Sequence, residues 1–189
     1  MNYGNFTPGF IDALAKIIGN RSVLEVYAGN GFLAKSLRER GVQIYPTSLF
    51  SSHDGHQLGM YCEVAESSSF EAVYRQGDQF DVLLMSWPIT DFSTFFCSKA
   101  WLGKEQISRP IIFIGELPGS LLGHSTMLSG CACDNFFASI ADMTLIEEYE
   151  PRNILDRAAI LKVSKEKVAD QEKLLFRGTA QRNRALQEG

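Results

Sequence analysis

A doubly wound α/β fold, with a mostly parallel sheet of seven strands, is what this sequence predicts, on three observations. Two nearly continuous apolar runs, Phe80-Asp81-Val82-Leu83-Leu84-Met85 and Pro110-Ile111-Ile112-Phe113-Ile114-Gly115, have the composition of parallel strands covered on both faces. A third run, Val23-Leu24-Glu25-Val26, passes through a small-residue turn straight into a helical pattern with Leu33 and Leu37 on one face. Strand-like and helix-like segments alternate for most of the chain, the order that builds a parallel sheet from βαβ units.

The elements follow in order. Thr7-Pro8 opens a helix over residues 8–18, with Thr7 as N-cap and Pro8 at the first helical position, and Gly19-Asn20 stops it. The first strand is 23–26. A helix over 32–40 ends at Gly41, and 42–45 reads as the second strand. A Ser-, His- and Gly-rich loop leads to a weak element over 61–65 and a helix over 69–75. The 80–85 strand, a helix over 92–101 and the 110–115 strand come next. Asp134 caps a helix through 141, and strands over 144–149 and 158–163 complete the sheet. No internal repeat is visible.

The domain therefore runs over 1–163, and residues 164–189 form a polar helix or tail. That tail holds six Lys and Arg against four Asp and Glu, with Leu174, Leu175 and Phe176 as its only apolar cluster. It reads as a solvated helix or frayed end, with docking to a partner as the sharper alternative. The 189 residues are enough for one domain burying roughly two-thirds of its unfolded surface. A net charge of −4 argues against broad electrostatic capture of nucleic acid. No stretch is apolar for long enough to span a membrane, and the N-terminus lacks the pattern of a secretory signal. Cys62, Cys97, Cys131 and Cys133 are scattered and make no disulfide framework, so a reducing, cytoplasmic compartment is expected. Oligomeric state is not readable.

The turn after the first strand, Val23-Leu24-Glu25-Val26-Tyr27-Ala28-Gly29-Asn30-Gly31, carries the chemistry. Strand, glycine turn and helix start form the local geometry that cradles a nucleotide-like cofactor. Dinucleotide sites place their acid roughly 20 residues after the turn, whereas Glu25 precedes the glycines. An acid there suits a cofactor with a cationic amino-acid portion. The segment resembles the first motif of class I S-adenosylmethionine-dependent methyltransferases, an acid followed by alternating glycines. The resemblance implies that Glu25, Tyr27, Ala28, Gly29 and Gly31 hold S-adenosylmethionine. Tyr27 departs from the pattern, which has glycine there; a tyrosine forgoes close backbone approach and easy positive φ, and adds a ring.

The family places a ribose-binding acid at the end of the second strand. Here Tyr45-Pro46-Thr47-Ser48 has none before Asp54, so Thr47 and Ser48 are the ribose candidates, with weaker, neutral acceptors. After the strand that corresponds to Phe80–Met85, amino-methyltransferases carry Asp, Asn or Ser, two prolines and an aromatic, which accept an amine's hydrogens and stack on a planar substrate. Ser86-Trp87-Pro88-Ile89 has the Ser and one proline. Ser86, Trp87 and Pro88 are therefore the substrate-side candidates, and the implied acceptor is an amine nitrogen.

Ile112-Phe113-Ile114-Gly115-Glu116 and Gly130-Cys131-Ala132-Cys133-Asp134 narrow the resemblance. Together with Ser86-Trp87-Pro88 they are similar to a group of uncharacterised methyltransferase-like proteins with Trp-Pro-Pro and Ile-Gly-Glu strand ends. The resemblance covers residues 23–137 and brings no settled substrate. It makes Glu116 a candidate carboxylate of the substrate pocket. His124 in the following loop is a weaker candidate base.

Other chemistries lack support. His53-Asp54-Gly55-His56 has no partner ligands at a recognisable spacing, Cys131-Ala132-Cys133 is not a CxxC pair, and no serine sits in a Gly-x-Ser-x-Gly elbow. Two functions stay open: methyl transfer to an unidentified acceptor, or a binding or regulatory module that keeps the methyltransferase fold without catalysis. Tyr27, the absent ribose acid and the incomplete Ser-Trp-Pro motif favour the second. A dinucleotide reductase is a distant third.

Overall fold

The structure, a computed structural model, describes residues 4–50, 59–124 and 127–187, with side chains of the last helix through Arg177. His53, Asp54, His56 and Ser125 lie outside the described residues.

Seven strands form one sheet: β1 Val23–Val26, β2 Ile44–Ser48, β3 Ala65–Glu66, β4 Val82–Ser86, β5 Ile111–Glu116, β6 Ile140–Leu145 and β7 Asp156–Val163. Their order is β3-β2-β1-β4-β5-β7-β6. β1 to β5 are parallel, and β7 is antiparallel to both β5 and β6. Among the described residues six α-helices flank it: α1 Pro8–Ile18, α2 Phe32–Arg38, α3 Ser69–Gln76, α4 Ser93–Leu102, α5 Asp134–Ala138 and α6 Lys165–Gln187.

The apolar runs divide by the two-residue strand period between two helix layers. Val23, Val82, Leu84, Ile112 and Ile114 pack with Phe10, Leu14 and Ile18 of α1 and Leu33 and Leu37 of α2. Leu24, Val26, Leu83, Met85, Ile111 and Phe113 pack with Val73 of α3, Phe95 and Trp101 of α4 and Phe136 of α5. At α1, the Thr7 side chain accepts from the Phe10 amide at 3.2 Å, Pro8 is the first helical residue, and Gly19 ends the helix at φ 62°.

Several boundaries differ from the sequence reading. β2 begins two residues later and ends three residues later than the predicted 42–45, and it passes through Pro46. Val23 N–H donates to Gln43 O, and Ala28 N–H donates to Thr47 O. Odd residues of β2 therefore bond β1, and the Pro46 nitrogen faces the other side, where β3 pairs only with Thr47 and Ser48. Arg38 Nη2 donates to Ile44 O at 3.0 Å on β2. β3 is only two residues long, not the 61–65 element.

α5 stops at Ala138 instead of 141, and β6 begins at Ile140, four residues before the expected 144. Asp134 is the first residue of α5 and Cys133 its N-cap, without a side-chain cap bond. β6 is an edge strand with Asp142 and Thr144 exposed or half-exposed, so its apolar signal is thin. Ile146 and Tyr149, which mimic a strand in the sequence, instead lie in the β6–β7 loop and pack beneath α1, with the Tyr149 ring edge-on to Phe10.

The start of α6 is part of the packed body. Val168 is buried in the α3–α5 core, Lys99 pairs with Glu172, and Lys167 Nζ donates to Ile140 O at 2.6 Å. Leu174 and Phe176 are exposed, while Leu175 packs against the core. No helix among the described residues is long and apolar enough to cross a membrane.

Candidate functional site

In a doubly wound sheet ligands sit outside the carboxyl ends of the strands, where the strand order reverses. Here that point is β1, whose neighbours are β2 and β4. The backbone marks the same edge. Among the described residues three non-glycine residues have positive φ: Tyr27 at 62° after β1, Trp87 at 50° after β4 and Ala132 at 56° in the loop beyond β5. Left-handed backbone is costly for residues with a Cβ and concentrates at functional sites. The last two segments are joined, since Ala132 N–H donates to Pro88 O at 3.4 Å. Trp87 N–H donates to Ile114 O at 2.7 Å, which holds the β4 exit against β5.

Glu25 lies within β1, not in the turn, and is 1% exposed. It alternates with Leu24 and Val26, so it shares a face with Val23, toward α1 and α2. Neither carboxylate oxygen has a hydrogen-bond partner among the described residues. Burial pushes its pKa from the ordinary 4.5 up to about 8, with the Arg38 guanidinium pulling it partly back. An unpartnered buried carboxyl of this kind has spare capacity for a cationic or hydrogen-bond-donating group.

The turn beyond it keeps its left-handed path at three positions, Tyr27, Gly29 at φ 57° and Gly31 at φ 77°. The tyrosine thus retains the positive φ that the sequence reading supposed it would forfeit; what it adds is the ring. Its phenol oxygen is 2.6 Å from Ser93 Oγ and 2.8 Å from Ser69 Oγ. Burial raises the phenol pKa above its ordinary value, so it stays protonated. The two glycines differ. A Cβ on Gly29 would meet nothing among the described residues within 4 Å. A Cβ on Gly31, the N-cap of α2, would lie 2.7 Å from Cys62 Sγ and 2.8 Å from Val64 Cγ2. Gly31 serves close packing.

Ala28 N–H donates to Thr47 O at 3.0 Å, and Thr47 Oγ1 donates to Glu25 O at 2.9 Å. Thr47 and Ser48 end β2 and are both buried, and Ser48 O accepts from Ser67 N–H. Ser86 closes β4 beside the half-buried Trp87, and Pro88 is buried. Glu25, residues 27–31 and residues 86–88 therefore meet at the carboxyl ends of the adjacent strands β1 and β4.

Glu116 ends β5, one strand further. Its Oε1 accepts from Asn153 Nδ2 at 3.0 Å and its Oε2 from the Gly130 amide at 2.8 Å. The carboxylate ties the β6–β7 loop to the segment after β5. A Glu116→Gln substitution leaves one of these donors facing an amide N–H. We expect about 1–2 kcal/mol of lost stability, read by urea unfolding; an unchanged midpoint would show that the bonds contribute nothing. His124 N–H donates to Gly119 O in the same region.

Ser69, Ser93 and Asp91 stand in no recognisable sequence motif. Ser69 and Ser93 are the first residues of α3 and α4, and the only signal was their place at helix starts. Among the described residues no group of three or more His, Cys, Asp or Glu side chains could hold a metal ion.

No protein-family model matches the sequence, and comparison with curated proteins finds no match. Solved structures do share the architecture. Human N-acetylserotonin methyltransferase in complex with SAM aligns at a TM-score of 0.52 and 11% identity, over 84% of this chain and 52% of that one. A mutant of MtNAS in complex with S-adenosylmethionine aligns at 0.53 and 11% identity, over 85% and 63%. The glycopeptide N-methyltransferase MtfA, complexed with sinefungin, aligns at 0.50 and 10% identity, over 85% and 96%. The chain thus spans between about half and two-thirds of the first two and nearly all of the third.

Proposed function

We propose, from the premise that this chain has the class I methyltransferase fold, that it binds S-adenosylmethionine and transfers its methyl group to an acceptor held beside residues 86–88. One observation carries the reading: the buried carboxyl of Glu25, with no hydrogen-bond partner among the described residues, stands at the strand-order reversal. The solved structures of this architecture support it, since those named above were obtained with S-adenosylmethionine or sinefungin.

The residues fit such a cofactor in part. Glu25, protonated in the free protein, would give up its proton to pair with the cofactor's cationic end, and Ala28, Gly29 and Gly31 would line its path. The fit is thinner at the ribose, where Thr47 and Ser48 replace an acid. Bound there, the cofactor supplies an electrophilic methyl that needs little further activation. The chain's work is then to align the nucleophile and exclude water, a proximity effect. Ser86 and Pro88 O would accept hydrogens from an amine acceptor, Trp87 would shape the adjoining wall, and Glu116 would hold the far rim. Pro88 O already accepts from Ala132 N–H, which leaves one lone pair for a substrate.

A second reading, a binding module without catalysis, is favoured by the Tyr27 phenol, which is bonded to two helix starts beside the same turn. Calorimetric titration with S-adenosylmethionine and S-adenosylhomocysteine tests the leading proposal. Micromolar binding is expected, and silence at millimolar ligand would sink it. Methyl transfer to an amine panel then separates enzyme from module.

A further inference from the structure

We infer that the Tyr27 side chain is a latch across the crevice at the carboxyl ends of β1 and β4, and that it must release Ser69 and Ser93 before a nucleoside-sized ligand enters. The inference rests on the S-adenosylmethionine reading of that crevice.

The latch is a chain of hydroxyls with one direction. Ser93 Oγ donates to Asp91 Oδ1, so its single hydrogen is committed and it can only accept from Tyr27. The phenol hydrogen therefore goes to Ser93, and the phenol oxygen accepts from Ser69 Oγ at 2.8 Å. Ser69 donates to Tyr27, Tyr27 to Ser93 and Ser93 to Asp91. A chain ending on a carboxylate is polarised along its length, so each bond strengthens the next.

Its anchors explain the span. Tyr27 is the first residue beyond β1, while Ser69 and Ser93 begin α3 and α4, which pack on one face of the sheet. A side chain joining all three crosses from the turn to both helix starts, at the edge where the strand order reverses. The half-buried ring packs against the α3–α4 core and is held at φ 62°, a backbone state that glycine adopts without cost. Binding that needs the latch open is weakened by the fraction of molecules that are open.

Affinity for S-adenosylhomocysteine, measured by calorimetry on the full chain, tests this. Tyr27→Phe keeps the ring and removes both bonds; Ser69→Ala combined with Ser93→Ala keeps the phenol and removes its partners. With each net bond worth about fivefold, either protein is expected to bind roughly fivefold to thirtyfold more tightly than wild type. Tyr27→Gly, which also frees the backbone, is expected to bind at least as tightly. Melting curves establish that each variant is folded. A wild type that binds, with Tyr27→Phe and the double serine variant equal to it or weaker, overturns the latch and leaves the methyltransferase reading intact. Folded proteins that all stay silent at millimolar ligand overturn both.

Discussion

At pH 8 the Glu25→Gln protein is expected to be more stable than wild type without ligand, by an amount on the order of 3–5 kcal/mol, and near pH 4.5 the two converge. The reason is proton linkage. The Glu25 carboxyl titrates at about 8 when folded, against the ordinary 4.5 in the unfolded chain, because burial disfavours its charge. Between those values the folded state holds a proton that the unfolded state has lost. Raising the pH therefore favours unfolding. The neutral group's contribution is complete below about 4.5, drains away as pH climbs toward about 8 and is constant beyond. Glutamine has nearly the same volume and no charge, so its stability should lack this slope. The upper figure assumes that no water reaches the carboxylate, and the unpartnered amide offsets part of the gain. Chemical denaturation at several pH values measures it. Parallel wild-type and variant curves would show that Glu25 is not held protonated.

Gly31→Ala is expected to cost about 2–4 kcal/mol, far more than Gly29→Ala at about 1 kcal/mol. Both positions carry positive φ, 77° and 57°, so both substitutions meet the left-handed penalty. Only the Gly31 methyl also collides, with Cys62 Sγ and Val64 Cγ2 under 3 Å away. Two side chains of a packed segment must retreat, which forces strain into the α2 interface. The functional consequences run the other way. A methyl on Gly29 enters the region where the cofactor is proposed to lie, so Gly29→Ala should leave the fold and weaken S-adenosylmethionine binding about tenfold or more. Melting temperatures and titration of the two proteins decide this. Equal melting temperatures would remove the packing role given to Gly31, and unimpaired binding by Gly29→Ala would move the cofactor away from the turn.

The sheet was legible because its central strands advertise themselves. The β4 and β5 runs are apolar on both faces, since helices cover both, and a two-sided strand needs no periodicity to be seen. Thr7-Pro8 and Gly19 bounded α1 for equally local reasons. The edges were harder. β3 is two residues long, and β6 exposes much of one face, so neither has enough buried surface to pattern its sequence. Ile146 and Tyr149 misled because burial in a folded-back loop leaves the same apolar mark as burial in a strand.

Of the candidate site, residues 28–31 were readable because a turn of that shape favours small residues, and the β4 exit because it follows one of the most apolar runs of the chain. By itself the sequence determined the doubly wound sheet and the place of an acid before its first turn, both consequences of local composition and chain order. Only the tertiary structure decided that Glu25 is buried without a hydrogen-bond partner among the described residues, that Gly31 packs against Cys62 and Val64, and that the Tyr27 phenol joins Ser69 and Ser93. Those facts depend on groups 31 to 66 residues apart in the chain. Charge burial, collision and hydrogen bonding act through space, and no local pattern encodes which distant side chains will meet.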